Sequence, residues 1–314
     1  MADLFSTITD KAILDKSQIE VWQQGVILAS KENTHFYPGS PLISQSQLAD
    51  TSVATFLKFS QLSSGTSALT DGVEVTSEAV TDAEVNFVLA EYGNVVTTTI
   101  LGHVATGGRL NPATARLVGQ NMGTSMDKLA IQALEASTNE LTVNAGGEAA
   151  TTANDIITDT FIDKAYNKLR RANVEPLMDG SYVAVMHPDV LYDLKAATSA
   201  GDWYDLMKYT SPDDINRSMM YRYKGFIIVE SSNVTINADA GNGNVDTYHS
   251  IFMGYNALGY AQSTSAPPRP TLVTGTDKLE RFVHLGWKGV FKYDIIDSDS
   301  LWVVTSGSTV GANT

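Results

Sequence analysis

The 314-residue chain contains no cysteine. Disulfides, thiolate nucleophiles and cysteine-ligated zinc are excluded by that absence alone. No apolar run reaches the ~18 to 20 residues a membrane-spanning helix needs. The N-terminus, MADLFSTITDKAIL, shows no basic stretch followed by an apolar one. A soluble, cytoplasmic product without a secretory leader is expected. The familiar catalytic signatures are missing too: there is no GxxxxGK[ST], no GxGxxG behind a strand, no GxSxG and no HExxH. The five histidines, His35, His103, His187, His249 and His284, never pair at i, i+4. Basic charge is scarce early in the chain, where residues before 160 hold only seven of the 21 lysines and arginines. Against 35 acidic side chains the net charge is −14. Such a chain does not grip nucleic acid as a whole, because phosphate contacts need clustered cations.

What is present is a chain able to build a core. Hydrophobic residues make up 43% and charged residues 18%, and the length allows about two domains of roughly 100 to 200 residues. Residues 9–30 read as a helix capped by Asp10, with Ile13, Ile19, Trp22, Val26 and Ile27 as an apolar stripe. FYPGSP at 36–41 breaks it. SVATFLKFSQL (52–62) reads as a strand, SSGTSALTDG (63–72) as turn chemistry, and the Val/Thr-rich run from Val73 to Ile100 as strand again. Between Ser60 and Val95 this excursion carries Asp71, Glu74, Glu78, Asp82, Glu84 and Glu91 and no cation. A polar hairpin of this kind buries little surface by itself and needs support from elsewhere. A long helix then runs from Asn111 as cap and Pro112 to about Ala136, striped by Val118, Met122, Met126, Leu129 and Ala133. From 138 to 262, helices and short apolar strands alternate as in a compact α/β unit. SAPPRP (265–270) reads as a rigid, extended linker. The stretch HLGWKGVFKYDIIDSDSLWVV (284–304) alternates Leu285, Trp287, Phe291 and Tyr293 with Lys288, Lys292 and Asp294, the pattern of a long strand with one apolar face. GSTVGANT reads as a frayed tail.

Several constellations could carry chemistry, and each has a commoner structural role. His187 opens HPD at a strand end and could act with Asp189 in a hydrolase; a histidine there is more often a structural hydrogen-bonder. ATGGRLNP, with Arg109, could seat a phosphate before a helix, or simply turn the chain. NADAGNGNVD (237–246) offers Asp239, Asn242, Asn244 and Asp246 as oxygen donors, but Gly241 stands where a calcium loop needs a ligand. Asp294, Asp297 and Asp299 could bind a hard cation or mark a solvated bend. Lys164, Lys168 and Arg171 share one helix face, either solvated or set against an acidic neighbour. No catalytic constellation survives, so no enzymatic activity, cofactor or metal is expected.

The order of parts (arm, acidic β-excursion, long helix, α/β unit, terminal strands) resembles the α+β Hong Kong 97-type fold of tailed-bacteriophage major capsid proteins. Local motifs resemble the branch typified by N4-like podophage coat proteins. They are Ala68-Leu69-Thr70-Asp71-Gly72-Val73 in the excursion, EYGNVVTTT at Glu91–Thr99, Met126-Asp127-Lys128 in the long helix, and GWKGVF at Gly286–Phe291. The ordered set covers roughly residues 50 to 305. The resemblance implies an N-terminal arm (1–36), an E-loop hairpin with flanking strands (37–100) and a P-domain with its spine helix (101–140). An α/β A-domain (141–264), P-domain terminal strands (265–306) and a tail (307–314) follow. It further implies hexamers and pentamers tiling an icosahedral shell around double-stranded DNA, without sequence-specific binding and without a membrane. A separate scaffolding protein, a portal and a decoration protein would be its partners, and the host bacterial cytoplasm its place of assembly. An encapsulin-like compartment shell is the close variant. Asp71, Glu74, Glu78, Asp82 and Glu84 are expected to meet Lys278, Arg281, Lys288 and Lys292 of a neighbouring subunit. Some relatives weld subunits by a Lys–Asn isopeptide bond. Lys58 is the only lysine between Lys31 and Lys128 and precedes the loop tip, so no such weld is expected here.

Overall fold

The computed structural model describes residues 35–310 apart from 61, 106–109, 178–179, 197–219, 275–278 and 280. The expected helix at 9–30 and the Arg109 turn lie outside the described residues. In chain order the elements are β1 (Gln45–Ala49), β2 (Val53–Phe59), β3 (Asp82–Val88), β4 (Ala90–Thr99), α1 (Ile100–Ala105), α2 (Leu110–Glu135), β5 (Glu140–Thr142), α3 (Asp159–Arg171), β6 (Tyr182–Met186) and α4 (Pro188–Ala196). There follow β7 (Met220–Tyr223), β8 (Phe226–Glu230), β9 (Ile236–Asn237), β10 (Thr247–Met253), β11 (Leu258–Ser263), β12 (Arg269–Thr274), β13 (Phe282–Ile295) and β14 (Leu301–Ser306).

β13 is the axis of a five-stranded sheet. Its alternation is realised as a core face. Leu285, Trp287, Phe291 and Tyr293 are buried against Val118, Met122, Met126, Ala130, Ile131 and Leu134 of α2. Burying side chains of this size contributes about 2 to 3 kcal/mol each. The Trp287 indole N–H also donates to Asn121 Oδ1 at 2.9 Å, which satisfies its one polar atom. Along one edge β13 pairs with β4 in antiparallel register, from Phe282↔Thr99 to Phe291↔Ala90. Its other edge is shared: β12 pairs with Val283–Lys288 and β11 with Phe291–Ile295. β1 adds in parallel outside β11.

The segment expected as a linker at 265–270 divides accordingly. Ala266–Pro268 crosses over Gly289, with Val290 N–H donating to Ala266 O at 2.9 Å. From Arg269 the chain is already strand, and Pro270 is tolerated because β12 is an edge. The glycines of GWKG are set by close approach. A Cβ on Gly289 would lie 2.5 Å from Pro268 Cα, and one on Gly286 2.4 Å from Asn94 O.

The second sheet runs β5-β14-β10-β6-β8-β7, with β9 against β10. Both of its faces are covered. Val183, Val185, Val229, Ile251, Met253 and Leu301 face the α2 core. Tyr182, Ala184, Met186, Phe226, Ile228, Tyr248 and Phe252 pack beneath α3 and α4. Strands with two buried faces read as continuous apolar runs, as YVAVM does. The sheets divide the chain elsewhere than at 264/265. β11 pairs in the five-stranded sheet, and β14 pairs with β10 and β5 in the seven-stranded one. Partner choice over such separations leaves no trace in local composition. The tail also differs from expectation. Gly307 and Ser308 are buried, and Asp193 of α4 accepts from Ser308 Oγ at 2.8 Å and Thr309 N at 2.9 Å.

Candidate assembly interface

The acidic excursion is a hairpin only at its root. β2 and β3 pair from Val53↔Val88 to Phe59↔Asp82. Strand was expected from Val73, but residues 73–81 form no ladder, and every described residue from 62 to 81 is exposed. The root is held by a small core of Ala49, Ala54, Phe56, Phe87, Ala261 and Ile296, with the Phe56 and Phe87 rings 4.6 Å apart. Lys58 Nζ lies 2.6 Å from Asp297 Oδ1, tying the hairpin to the bend after β13. Farther out, Glu78 accepts from Ser63 N at 3.0 Å and Ser63 Oγ at 2.6 Å. Those bonds hold the Glu78 carboxyl below its ordinary pKa. Leu57, Phe59, Leu62, Leu69, Val73, Val75 and Val80 stand bare, Leu69 at 77% exposure. So many bare apolar side chains on one segment are the kind of feature that marks a contact to be made.

Of the expected acidic residues, Asp71, Glu74, Glu78, Asp82 and Glu84 are all exposed along this excursion. Of the basic set, Lys278 lies outside the described residues. Arg281 sits beside the Phe282 ring, 5.8 Å from its centroid. Lys288 and Lys292 share the outward face of β13, opposite the core. Lys292 Nζ is 3.7 Å from Asp294 Oδ2. Among the described residues no ion pair joins the acidic and basic sets within one chain. Sequence reasoning missed Arg269, which stands directly opposite Lys288 in the ladder. Both are exposed and neither has an ion pair among the described residues. Like charges facing across a ladder are unfavourable, and Glu91 lines the same small pocket as the pair. PRP inside an apparent linker was the only available signal, and it spoke against a strand.

The acidic knot has a structural assignment. Asp297 caps the turn at Ser298–Ser300 by accepting from Asp299 N at 3.3 Å, and also pairs with Lys58. Asp294 accepts from Ile295 N. In the 237–246 loop, Asp246 accepts from Asp239 N at 3.0 Å and Asn242 N donates to Thr151 O. Among the described residues no group of three or more acidic or histidine side chains is arranged to hold a metal ion.

His187 and Asp189 do come together, as a helix cap. His187 precedes α4, and its Nδ1 accepts the Asp189 backbone N–H at 3.3 Å. Asp189 Oδ2 accepts from Tyr248 Oη at 2.9 Å. Burial lowers the His187 pKa, opposed by the charges of Asp189 and Glu230, and burial with the Asp189 bond raises that of Tyr248. Among the described residues no serine or threonine hydroxyl bonds the ring. The depressed histidine favours the folded state above its unfolded pKa near about 6.5 and withdraws that contribution as pH falls. Fold stability is therefore expected to drop below about pH 6.5. His187→Asn, which keeps a capping acceptor, should flatten that drop in urea melts at pH 5 and 7; an unchanged slope would assign the acid sensitivity elsewhere.

No family model matches the chain, and no curated protein sequence matches it. Solved structures do. The capsid of Ralstonia phage GP4 superposes with a TM-score of 0.65 at 14% identity, covering 84% of this chain and 85% of that one. The cyanophage Pam1 capsid gives 0.63 at 13%, covering 85% and 89%. A virus-like particle from Pyrococcus furiosus gives 0.53 at 10%, covering 91% and 98%. The chain thus has the α+β Hong Kong 97-type capsid fold.

Proposed function

We propose that this protein is a major capsid protein, a structural subunit that assembles as hexamers and pentamers into an icosahedral shell around double-stranded DNA. The observation that carries the reading is the exposed excursion at 60–81, which none of the described residues covers and whose bare leucines and valines fit a neighbouring subunit. The fold shared with phage capsids supports it. The motifs at 68–73, 91–99 and 286–291 support a place near the coat proteins of N4-like podophages. The virion is then its location, the host cytoplasm its place of assembly, and scaffolding, portal and decoration proteins its partners. The P. furiosus likeness keeps an encapsulin-like shell as the second reading, and DNA or cargo protein inside isolated particles separates the two. The acidic row Asp71, Glu74, Glu78, Asp82 and Glu84 meets Lys288 and Lys292 of the next subunit, with Arg269 completing the basic side. Negative-stain microscopy of purified protein should show shells or capsomer rings; a monodisperse monomer under all assembly conditions counts against the reading. Lys288→Glu with Lys292→Glu should block shells and leave a soluble folded chain, and wild-type assembly by that variant would sink the pairing.

A further inference from the structure

The flank of the seven-stranded sheet that α3 covers carries a charge feature the assembly reading does not use. Ile162, Ala165 and Leu169 anchor α3 in the core. Its outer face presents Lys164, Lys168 and Arg171 in a row about 10 Å long, at 1.5 Å per residue. They line a shallow groove of about 340 Å³ with Thr160, Asn167 and Asp163. An ordinary solvated helix face would balance such a row with glutamates one turn away, and α3 contains none. Its two aspartates both pair with Lys224, whose Nζ lies 3.2 Å from Asp159 and 2.8 Å from Asp163, although Asp163 still lines the groove. None of the three row cations has an ion pair among the described residues. Two are seated on aromatic faces instead: Lys164 Nζ lies 4.2 Å from the Phe161 centroid and Lys168 Nζ 4.9 Å from that of Trp302. Such seats hold the stems in place and leave the ammonium groups unneutralised. In a chain of net charge −14, an uncompensated and pre-positioned cation row is the exception to be explained.

We propose that this face of α3 is a contact strip for the phosphate backbone of duplex DNA, and that it lines the interior of the shell. The inference rests on the capsid reading above and adds to it. Each strand of duplex DNA presents one charge per about 3.4 Å of axis, so a row of about 10 Å faces roughly three phosphates of one backbone. Thr160 and Asn167 add neutral donors of the kind that accompany cations at phosphates. Three cations with no base-reading element make a weak, salt-labile contact, repeated once per subunit. That lets a mostly acidic wall settle the outermost DNA without trapping it.

The test is binding of dissociated full-length subunits to a short mixed-sequence duplex between 50 and 200 mM salt, conditions in which phosphate contacts show their salt dependence. The expected slope of log K against log salt is about −3, from three contacts at about 0.9 each. Lys164→Gln, Lys168→Gln and Arg171→Gln together should bring it close to zero, with the urea midpoint lowered only slightly by the loss of the two aromatic seats, because all three head groups lie outside the core. Arg116→Gln with Lys128→Gln, both exposed on α2 and outside either contact surface, should leave it at the wild-type value. Absence of wild-type binding at 50 mM salt, or equal loss in both variants, overturns the proposal. So does displacement of duplex by a synthetic peptide of residues 68–85, which would make the row a subunit contact. Microscopy of the same preparation keeps the two readings apart: shells without DNA binding sink only the strip, while binding without shells sinks the capsid reading.

Discussion

Excising the tip of the acidic excursion, with residues 61–80 replaced by Asn-Gly, is expected to abolish shell formation and leave a folded, soluble chain. Phe59 and Asp82 are already ladder partners, and Ser60 N–H donates to Thr81 O at 2.9 Å. A two-residue turn therefore closes the hairpin in its existing register. Among the described residues nothing is buried against the excised segment, whose own described residues are all exposed. Shortening a loop of about twenty residues to two removes a closure cost of about 2 kcal/mol, so stability should stay level or rise. Circular dichroism and size exclusion report the first half of the expectation, negative-stain microscopy the second. Shells at wild-type yield would show that the excursion is dispensable for assembly.

Asp127→Ala is expected to cost about 4 kcal/mol, the largest loss from any single polar side chain described here. Asp127 is completely buried in α2. One carboxylate oxygen accepts the backbone N–H groups of His35 and Phe36 at 3.0 and 3.1 Å. The other accepts Asn233 Nδ2 at 2.7 Å and Ser231 Oγ at 3.4 Å. Tyr293 Oη completes the clasp on Phe36 O at 2.8 Å. Hydrogen bonds to a charged acceptor contribute about 1.5 to 3 kcal/mol each, and truncation strands the donors in the core. The urea midpoint should fall accordingly. Asp127→Asn should lose less than the alanine variant, because it keeps one acceptor for the two backbone donors; equal losses would mean that the cavity, not the hydrogen bonding, sets the cost.

Where a residue's role is local, the sequence declared it. The stripe Val118, Met122, Met126 marked α2 to within a residue of Leu110–Glu135, and the alternation through Leu285, Trp287, Phe291 and Tyr293 marked β13 and its core face. Where a role depends on distant pairing, it was silent. Periodicity cannot say that β14 leaves β13 for β10, or that a proline-flanked arginine is an edge strand facing Lys288. Nor can composition tell that Thr/Val-rich residues 73–81 stay outside any ladder, because their strand propensity finds no partner strand among the described residues. Asp127 did leave a mark: it falls on the same helical stripe as Ala130, Ile131 and Leu134, where a carboxylate is out of place unless donors converge on it. The buried Gly307 and Ser308 left none, because their anchor is Asp193, more than a hundred residues away.

The hairpin root gives the excursion the mechanics of a lever. Six buried residues and the Lys58–Asp297 bridge form its fulcrum, and they rest on Ala261 in β11 and on Ile296 and Asp297 just past β13. Seven paired residues at about 3.4 Å each carry the arm roughly 24 Å outward before the unpaired tip begins. A tilt of about 5° in the sheet then moves the end of the paired arm by roughly 2 Å. In the shell proposed above, each subunit would thereby report the attitude of its sheet to the neighbour its tip touches.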